Sequence, residues 1–158
     1  MPGKEKLGLQ HAQQAMEQAM HQARLAFARG EVPVGAVVTG EDGQILAARG
    51  NQVEGDHDAS AHAEILALRE AAAKMGSPRL TGCTLWVTLE PCPMCATAAS
   101  FFRVKRLVFG AYDAKGGGVE HGPRIFAAPG CLHQPELVGG VRESESAELL
   151  RSFFAGKR

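Results

Sequence analysis

Two short stretches of the sequence carry residue types that bind metal ions. The first is HAE at 62–64, and the second is PCPMC at 91–95. Cys92 and Cys95, three positions apart on the first turn of a helix, can bind one ion, and the positive helix end lowers the pKa of their thiols. His62 supplies a third ligand and leaves one tetrahedral position open. Three protein ligands with an open position are typical of catalytic zinc, whereas structural zinc has four.

Glu64 lies two positions after the histidine, close enough to reach a water at the open position without being a ligand. Zinc lowers the pKa of such a water toward about 7, and a neighbouring carboxylate can take its proton and deliver it elsewhere. His-x-Glu followed by Pro-Cys-x-x-Cys is the signature of zinc deaminases of nucleobases. We therefore predict one Zn²⁺ held by His62, Cys92 and Cys95, with Glu64 as the catalytic proton shuttle.

The same cysteines permit other interpretations. A redox dithiol of the thioredoxin type would also follow a strand and open a helix, but it gives His62 and Glu64 no role. A closed structural site would need a fourth ligand, either Cys83 or Cys131. A binding module that uses zinc only for stability is the hypothesis from outside the enzymes, and its function would survive Glu64→Ala.

Length and composition limit the classes of protein that the sequence allows. The chain has 158 residues, 45% hydrophobic and 22% charged, which is typical of a single globular domain over 1–158. No apolar stretch approaches the roughly 18 residues of a membrane span, and the N-terminus lacks the apolar core of a secretory signal. We therefore expect a cytoplasmic protein that does not enter a membrane.

The charge is balanced over the whole chain but uneven along it. The formal net charge is zero, which argues against a protein that coats nucleic acid without selectivity. Residues 41–60 hold five acidic residues and one basic residue, whereas residues 100–130 hold five basic and two acidic ones. One face could therefore meet a polyanion.

Hydrophobic periodicity predicts the elements that position these residues. Helices are expected at 9–29, 62–74, 93–102 and 144–154, and strands on both sides of the Asp42-Gly43 turn and at 83–89, 106–112 and 136–141. This order predicts a mixed five-stranded sheet flanked by helices, an α/β sandwich. Because both metal-binding stretches open a helix after a strand, both helix starts can lie at one edge of the sheet.

Three local expectations complete this prediction. Ser60 is expected to cap the helix that begins at 62. The last helix is expected to direct four side chains to the core, namely Ala147, Leu150, Phe153 and Phe154. The helix at 93–102 is apolar on more than one side, which favours a dimer with this helix at the interface.

Beyond the metal-binding motif, the sequence resembles the bacterial tRNA-specific adenosine deaminases over nearly its whole length. The matching stretches are EVPVGAVV at 31–38, GN at 50–51, HAEILALR at 62–69, TLWVTLEPCPMCA at 84–96, RVKRLVFGAYDAKGG at 103–117 and AELLRSFFAGKR at 147–158. The zinc motif alone is shared with cytidine, deoxycytidylate and guanine deaminases. The flanking stretches are therefore the specific part of the resemblance.

The resemblance implies a three-layer α/β/α sandwich of the cytidine-deaminase type and a homodimer with one Zn²⁺ per subunit. It also implies an activity, the hydrolytic conversion of the wobble adenosine in a tRNA anticodon stem-loop to inosine, with arginine tRNA of anticodon ACG as the substrate. By motif match, Asn51 would hydrogen-bond the flipped base, Val34 and Ala63 would line its pocket, and Asp113 would lie where the nucleotide backbone enters.

The remaining contacts expected with RNA are aromatic and basic. Tyr112 stands where the family often has arginine and could stack on a base. Phe153 is expected at the substrate site. The basic residues expected to raise the affinity for RNA are Arg103, Lys105, Arg106, Arg124, Lys157 and Arg158.

The alternative substrate is a free base or nucleoside, such as guanine or cytosine. Residues 101–130 separate the two possibilities, since basic residues and an open loop suit RNA, whereas a closing lid suits a small molecule.

Overall fold

The computed structural model describes residues 2–157, with side chains from residue 10 onward. Its elements, in chain order, are α1 (Pro2–Ala28), β1 (Gly35–Thr39), β2 (Ile45–Gly50), α2 (Ala63–Met75), β3 (Thr84–Leu89), α3 (Pro93–Phe101), β4 (Arg106–Ala111), β5 (Glu136–Val138) and α4 (Glu143–Ala155). A short 3-10 helix at Ile125–Ala127 lies within the long loop before β5. Every helix and strand expected from the periodicity is present.

The five strands form one mixed sheet in the order β2-β1-β3-β4-β5. β1 pairs antiparallel with β2 and with β3, whereas β4 pairs parallel with β3 and with β5. The parallel pair of β3 and β4 needs a crossover connection, and α3 provides it.

Helices cover both faces of this sheet. α1 and α4 pack on one face, and α2 and α3 pack on the other, so the expected three-layer α/β/α sandwich is confirmed. The larger core lies on the α2 and α3 side and includes Leu68, Leu85 and Phe109. A smaller core under α1 includes Met16 and Trp86. In the described part of the chain, no helix combines the length and apolar character needed to cross a membrane.

The start of α2 differs from the prediction. The helix begins at Ala63 with His62 at the cap position, so Ser60 is not the N-cap. Instead, the backbone N–H and the hydroxyl of Ser60 both donate to Asp58 Oδ1, at 2.9 and 2.7 Å. This turn closes the loop before the helix, because a short carboxylate readily accepts bonds from the residue two positions on.

The buried face of α4 also differs from the prediction. Phe153 is buried, but Phe154 is 52% exposed. Ser146 takes a buried position on this helix, where its hydroxyl donates to the backbone carbonyl of Thr88 in β3. This hydrogen bond turns the Ser146 side of α4 toward the sheet, and Phe154 therefore faces away from the core.

Glu90, directly after β3, is a buried carboxylate that organises the loop after β4. It accepts backbone N–H bonds of 3.0–3.2 Å from Asp113, Val119, Glu120 and His121, and its Oε1 lies 2.8 Å from His121 Nδ1. Gly117 permits this wrapping, since a Cβ there would collide with the Glu90 carboxylate. Burial raises the pKa of Glu90, but the bonds from His121 and the backbone outweigh burial and hold the pKa below its usual value.

A second buried carboxylate, Glu31, holds another loop at the same edge of the sheet. Its two oxygens accept the backbone N–H groups of Glu54 at 3.0 Å and Gly55 at 2.8 Å. The loops 51–61 and 113–121 are thus each tied to the fold by a carboxylate from another segment.

Glu90→Gln should lower the free energy of unfolding at pH 7 by about 2–3 kcal/mol, because an amide directs its NH₂ group at backbone N–H donors and leaves them unpaired. In a domain of this size each kcal/mol corresponds to roughly 2–4 °C in Tm. Since the folded pKa of Glu90 is depressed, its stabilisation is present above the unfolded pKa of about 4.3 and is lost as the pH falls through the folded value. The difference in Tm between wild type and variant should therefore shrink below about pH 4.

Circular dichroism melts at pH 7 and at acid pH would measure both effects. Glu120→Gln is the matched control, because this side chain is exposed and its contact with Arg124 spans 4.0 Å. Equal Tm values for wild type and Glu90→Gln at pH 7 would contradict the role given to Glu90.

Candidate active site

One edge of the sheet gathers stretches that are far apart in the sequence. The carboxyl ends of β3 and β4 lie there because these strands are parallel. β1 begins and β2 ends at the same edge, where Gly35 pairs with Gly50. The Gly35 N–H also donates to Thr88 Oγ1 at 3.1 Å, which fixes β1 against β3. Asn51, Glu90 and the residues after β4 therefore converge.

His62, Cys92 and Cys95 form a compact cluster at this edge. His62 Nδ1 lies 3.6 Å from each of the two sulfur atoms, and the ligand atoms all lie within 4.8 Å of one another. His62 is at the cap of α2, and Cys92 is at the cap of α3. Tetrahedral zinc, with bonds of about 2.3 Å to sulfur and about 2.0–2.1 Å to nitrogen, separates such atoms by about 3.6 Å. The cluster fits a zinc ion.

The two thiols are electrostatically coupled. The pKa of Cys92 is lowered to about 4, because Cys95 bonds to its sulfur and, secondarily, because His62 lies beside it. The same contact with Cys92, together with burial, raises the pKa of Cys95. The pair therefore holds one thiolate readily and resists a second negative charge. A divalent cation between the ligands would supply the positive charge that two thiolates need.

Glu64 is the buried carboxyl group beside this cluster, with 4% of its surface exposed. Burial is the main cause that raises the pKa of Glu64, to about 7. Cys92 adds to this effect, and His62 opposes it. A carboxyl group with a pKa near neutrality can both accept and release a proton under the same conditions.

The other two cysteines lie away from the cluster. Cys83 Sγ is 3.5 Å from Met75 Sδ, and Cys131 Sγ is 3.7 Å from Ser100 Oγ. Among the residues with described side chains, no histidine, cysteine or carboxylate joins the three to make a fourth ligand. The closed structural site that Cys83 or Cys131 would have completed is not formed.

A cavity of about 730 Å³ leads to the cluster, and His62, Glu64 and Cys92 contribute to its wall. Four predicted substrate-binding residues also line it: Asn51, Val34, Asp113 and Phe153. Three do not: Ala63, Tyr112 and Arg103.

Asn51 links two segments at the cavity wall. Its Oδ1 accepts the N–H of Ala63 at 2.8 Å, and its Nδ2 donates to the carbonyl of Val32 at 3.1 Å. A side-chain amide has two donor hydrogens and two acceptor lone pairs. One of each therefore stays free for a ligand, and the contact with a base remains a prediction.

The three predicted substrate-binding residues that do not line the cavity are Ala63, Tyr112 and Arg103. Ala63 is fully buried behind the wall. The Tyr112 ring packs edge-on against Phe109, with centroids 5.2 Å apart, and against His121 at 6.2 Å. Arg103 is exposed in the turn after α3. Their contacts with RNA remain predictions.

The basic residues predicted to contact RNA differ in whether they already form an ion pair. Arg106 pairs with Glu136 at 3.1 Å, and Arg124 pairs more loosely with Glu120. Lys105 is exposed at the start of β4, and Lys157 lines the cavity. Arg158 lies outside the described residues.

Sequence reasoning missed several residues of the wall, among them Glu31, Glu90 and Phe154. Glu90 had a signal in the sequence, because a carboxylate ends the apolar strand β3 immediately before Pro91. Glu31 and Phe154 had none, since an acidic residue after a helix and an apolar residue in an amphipathic helix are both common.

Comparisons with known proteins agree with this geometry. The family model of MafB19-like deaminases matches residues 10–155. A tRNA-specific adenosine deaminase of Agrobacterium fabrum is 52% identical over 143 residues, which cover 90% of this chain and 93% of that protein.

Solved structures agree as well. One, from structural studies of A-to-I editing by tRNA:A34 deaminases, has a TM-score of 0.85 at 50% identity and covers 87% of this chain and 99% of its own. The guanine deaminase of Nitrosomonas europaea has a TM-score of 0.77 at 26% identity, over 89% of this chain and 83% of its own. The full-length match at about half identity, on a fold that brings the deaminase motif together, shows that the chain belongs to the family of tRNA-specific adenosine deaminases.

Proposed function

We propose that this protein is a zinc-dependent deaminase that converts the wobble adenosine of a tRNA anticodon stem-loop to inosine, with arginine tRNA of anticodon ACG as its substrate. The observation that carries the proposal is the triangle of His62, Cys92 and Cys95, in which His62 Nδ1 lies 3.6 Å from each sulfur, beside a buried Glu64 at the wall of a cavity. The family relationship supports adenosine in tRNA as the substrate.

In this proposal His62, Cys92 and Cys95 hold one Zn²⁺ per subunit. When bound, zinc supplies an acidified water as the nucleophile for C6 of adenine. Glu64 would move the protons: its carboxylate would take one from the water and deliver it to N1 of the ring, then take the second from the hydroxyl formed on C6 and deliver it to the amino group, which leaves as ammonia. Protonated N1 lets the ring accept the electron pair of the new C6–O bond.

The cavity wall positions the base for this chemistry. Asn51 has a free donor and a free acceptor for the edge of a purine, and Val34 offers an apolar contact. The base must leave its stack to enter, and an anticodon loop reduces that cost relative to a duplex because its bases are unpaired.

A free base or nucleoside is the alternative substrate. The similarity to the guanine deaminase of Nitrosomonas europaea is at 26% identity, about half that to the tRNA:A34 deaminase structure. The tRNA substrate is therefore the better supported of the two.

We also propose that the protein forms a homodimer through α3. Apolar side chains are exposed on and beside this helix: Met94 is 39%, Phe101 61% and Leu132 59% exposed. A groove of about 190 Å³ between α3 and the loop before β5 is lined by Phe101, Leu132 and Pro129. A second copy packed on this face would bury these side chains from water.

The first experiment measures inosine formation by purified protein on arginine tRNA with anticodon ACG. Free adenosine, cytidine and guanine are assayed in parallel for ammonia release. We expect inosine at the wobble position and no reaction with the free compounds. Ammonia from a free base with tRNA unchanged would overturn the proposed substrate.

Glu64→Gln is the variant that isolates the proton transfer in this assay. It should lower kcat by about 10²–10⁴-fold, the usual contribution of general acid–base catalysis, while zinc content and RNA affinity stay at wild-type values. A variant that kept a tenth of wild-type kcat would exclude Glu64 as the shuttle.

Cys92→Ser should abolish zinc retention and lower Tm, because two ligands hold zinc far less tightly than three and the stabilisation of the fold by the bound metal is lost with it. Metal analysis by mass spectrometry and thermal melts measure the two effects. Cys131→Ser is the matched control, since Cys131 lies outside the cluster and this variant should keep its zinc. Zinc bound at one equivalent by Cys92→Ser would contradict the ligand set.

Phe101→Glu should convert the protein from dimer to monomer, because a carboxylate cannot be buried unpaired in an apolar interface. Sedimentation velocity measures the change. Leu25→Glu, on the exposed side of α1, is the matched control and should stay dimeric. A monomeric wild-type protein would refute the dimer.

A further inference from the structure

The cavity is lined by five carboxyl groups and a single side chain of permanent positive charge. The acidic residues are Glu31, Glu54, Glu64, Glu90 and Asp113. Lys157 is the only lysine or arginine among the described residues that line it. Among these side chains, Lys157 is therefore the one lysine or arginine that can attract an RNA phosphate at the wall.

Three of the five carboxylates already accept hydrogen bonds from backbone N–H groups. Glu31 and Glu90 accept the loop N–H groups described above, and Asp113 Oδ1 accepts those of Lys115 at 3.1 Å and Gly116 at 2.9 Å. Within residues 10–157, none of the ion pairs includes Lys157. Its ammonium group is available to an anion from outside.

An aromatic ring holds the Lys157 side chain in place. Nζ lies 5.2 Å from the centroid of the Phe153 ring, a cation–π distance. That ring is itself fixed by edge-on contacts with Phe27, at 5.6 Å, and Phe154, at 5.3 Å. A side chain held this way loses less conformational freedom when it binds a phosphate.

α4 carries Phe153 and ends two residues before Lys157, and it is anchored to the rest of the fold. Ser146 at the start of α4 donates to Thr88 of β3, and Arg142 pairs with Glu17 of α1 at 2.6 Å. The end of α4 therefore places Lys157 at the wall of the cavity.

We propose that Lys157 binds a phosphate adjoining the target nucleotide, and that this contact distinguishes an RNA substrate from a free nucleoside. The inference rests on the proposed function, and it assigns one cation to one phosphodiester beside the reacting base. Free adenosine has no phosphate to offer, so it gains nothing from the contact with Lys157.

The test is a binding measurement in the Glu64→Gln background, where RNA is bound but not turned over. The probe is an ACG anticodon stem-loop, followed by fluorescence anisotropy over a series of salt concentrations. Lys157→Ala should weaken binding about five- to tenfold at low salt and make the plot of log Kd against log salt shallower by about 0.7, the value for one contact with single-stranded RNA. In the Glu64-containing enzyme, KM should rise while kcat changes less than about twofold.

A methylphosphonate at the phosphate on the 5′ or the 3′ side of the target nucleotide locates the contact. At one of these positions the neutral linkage should weaken binding to the Lys157 protein and have no further effect on Lys157→Ala. Additive losses at both positions would overturn the proposal.

Two further variants test whether RNA affinity depends on a cation at position 157 or only on the net charge of the protein. Lys157→Arg keeps the cation and should retain near wild-type affinity. Lys74→Ala removes one charge at the far end of α2, about 18 Å along the helix from its cap at His62, and should leave affinity unchanged. A loss for Lys74→Ala as large as that for Lys157→Ala would refute a local contact. If wild type forms no inosine in tRNA, the proposed function fails, and this is seen before any Lys157 variant is compared.

Discussion

The site depends on the parallel pairing of β3 and β4, because this pairing carries two helix starts and two loops to one edge of the sheet. α3 must cross from β3 to β4, so its first turn lies above the carboxyl end of β3 and presents Cys92 and Cys95 there. The antiparallel pairing of β1 and β2 brings Asn51 to the same edge, and the Asn51 side chain binds the N–H of Ala63 at the start of α2. His62, immediately before Ala63, thereby reaches the two sulfurs at 3.6 Å.

Charge at this edge is organised by hydrogen bonds to backbone groups. Glu31 and Glu90 are buried carboxylates that would be costly without partners, and each accepts N–H groups of a loop, to which Glu90 adds the side chain of His121. These hydrogen bonds fix the positions of loops 51–61 and 113–121, and they involve no lysine or arginine side chain. Glu64 is the exception, since burial leaves it few stabilising contacts and its pKa rises toward neutrality. The same wall thus contains carboxylates that hold structure and one that is suited to move a proton.

The two helical layers contribute different residues to the site. α2 and α3 supply the cluster and Glu64 from one side of the sheet. α4 reaches the cavity from the other side and adds Phe153, Phe154 and Lys157. In the proposed function, this division separates the chemistry from the recognition of what surrounds the base. The first group forms the motif common to zinc deaminases of nucleobases, whereas the FFAGKR ending belongs to the stretches that made the resemblance to tRNA deaminases specific.

The sequence by itself determined the elements, the sandwich and the three residues that the fold brings into one cluster, His62, Cys92 and Cys95, because these depend on local periodicity and on short spacings within helix starts. It also placed Asn51, Val34, Asp113 and Phe153 where the cavity lies. Only the tertiary structure decided the roles of Glu31 and Glu90, since their partners lie 23–31 residues away and all but the His121 side chain are backbone groups, which no side-chain pattern identifies. It also turned Phe154 outward, moved the cap of α2 from Ser60 to His62, and placed Lys157 alone among carboxylates. These outcomes depend on how one helix packs against a sheet, and many sequences with the same periodicity would pack it differently.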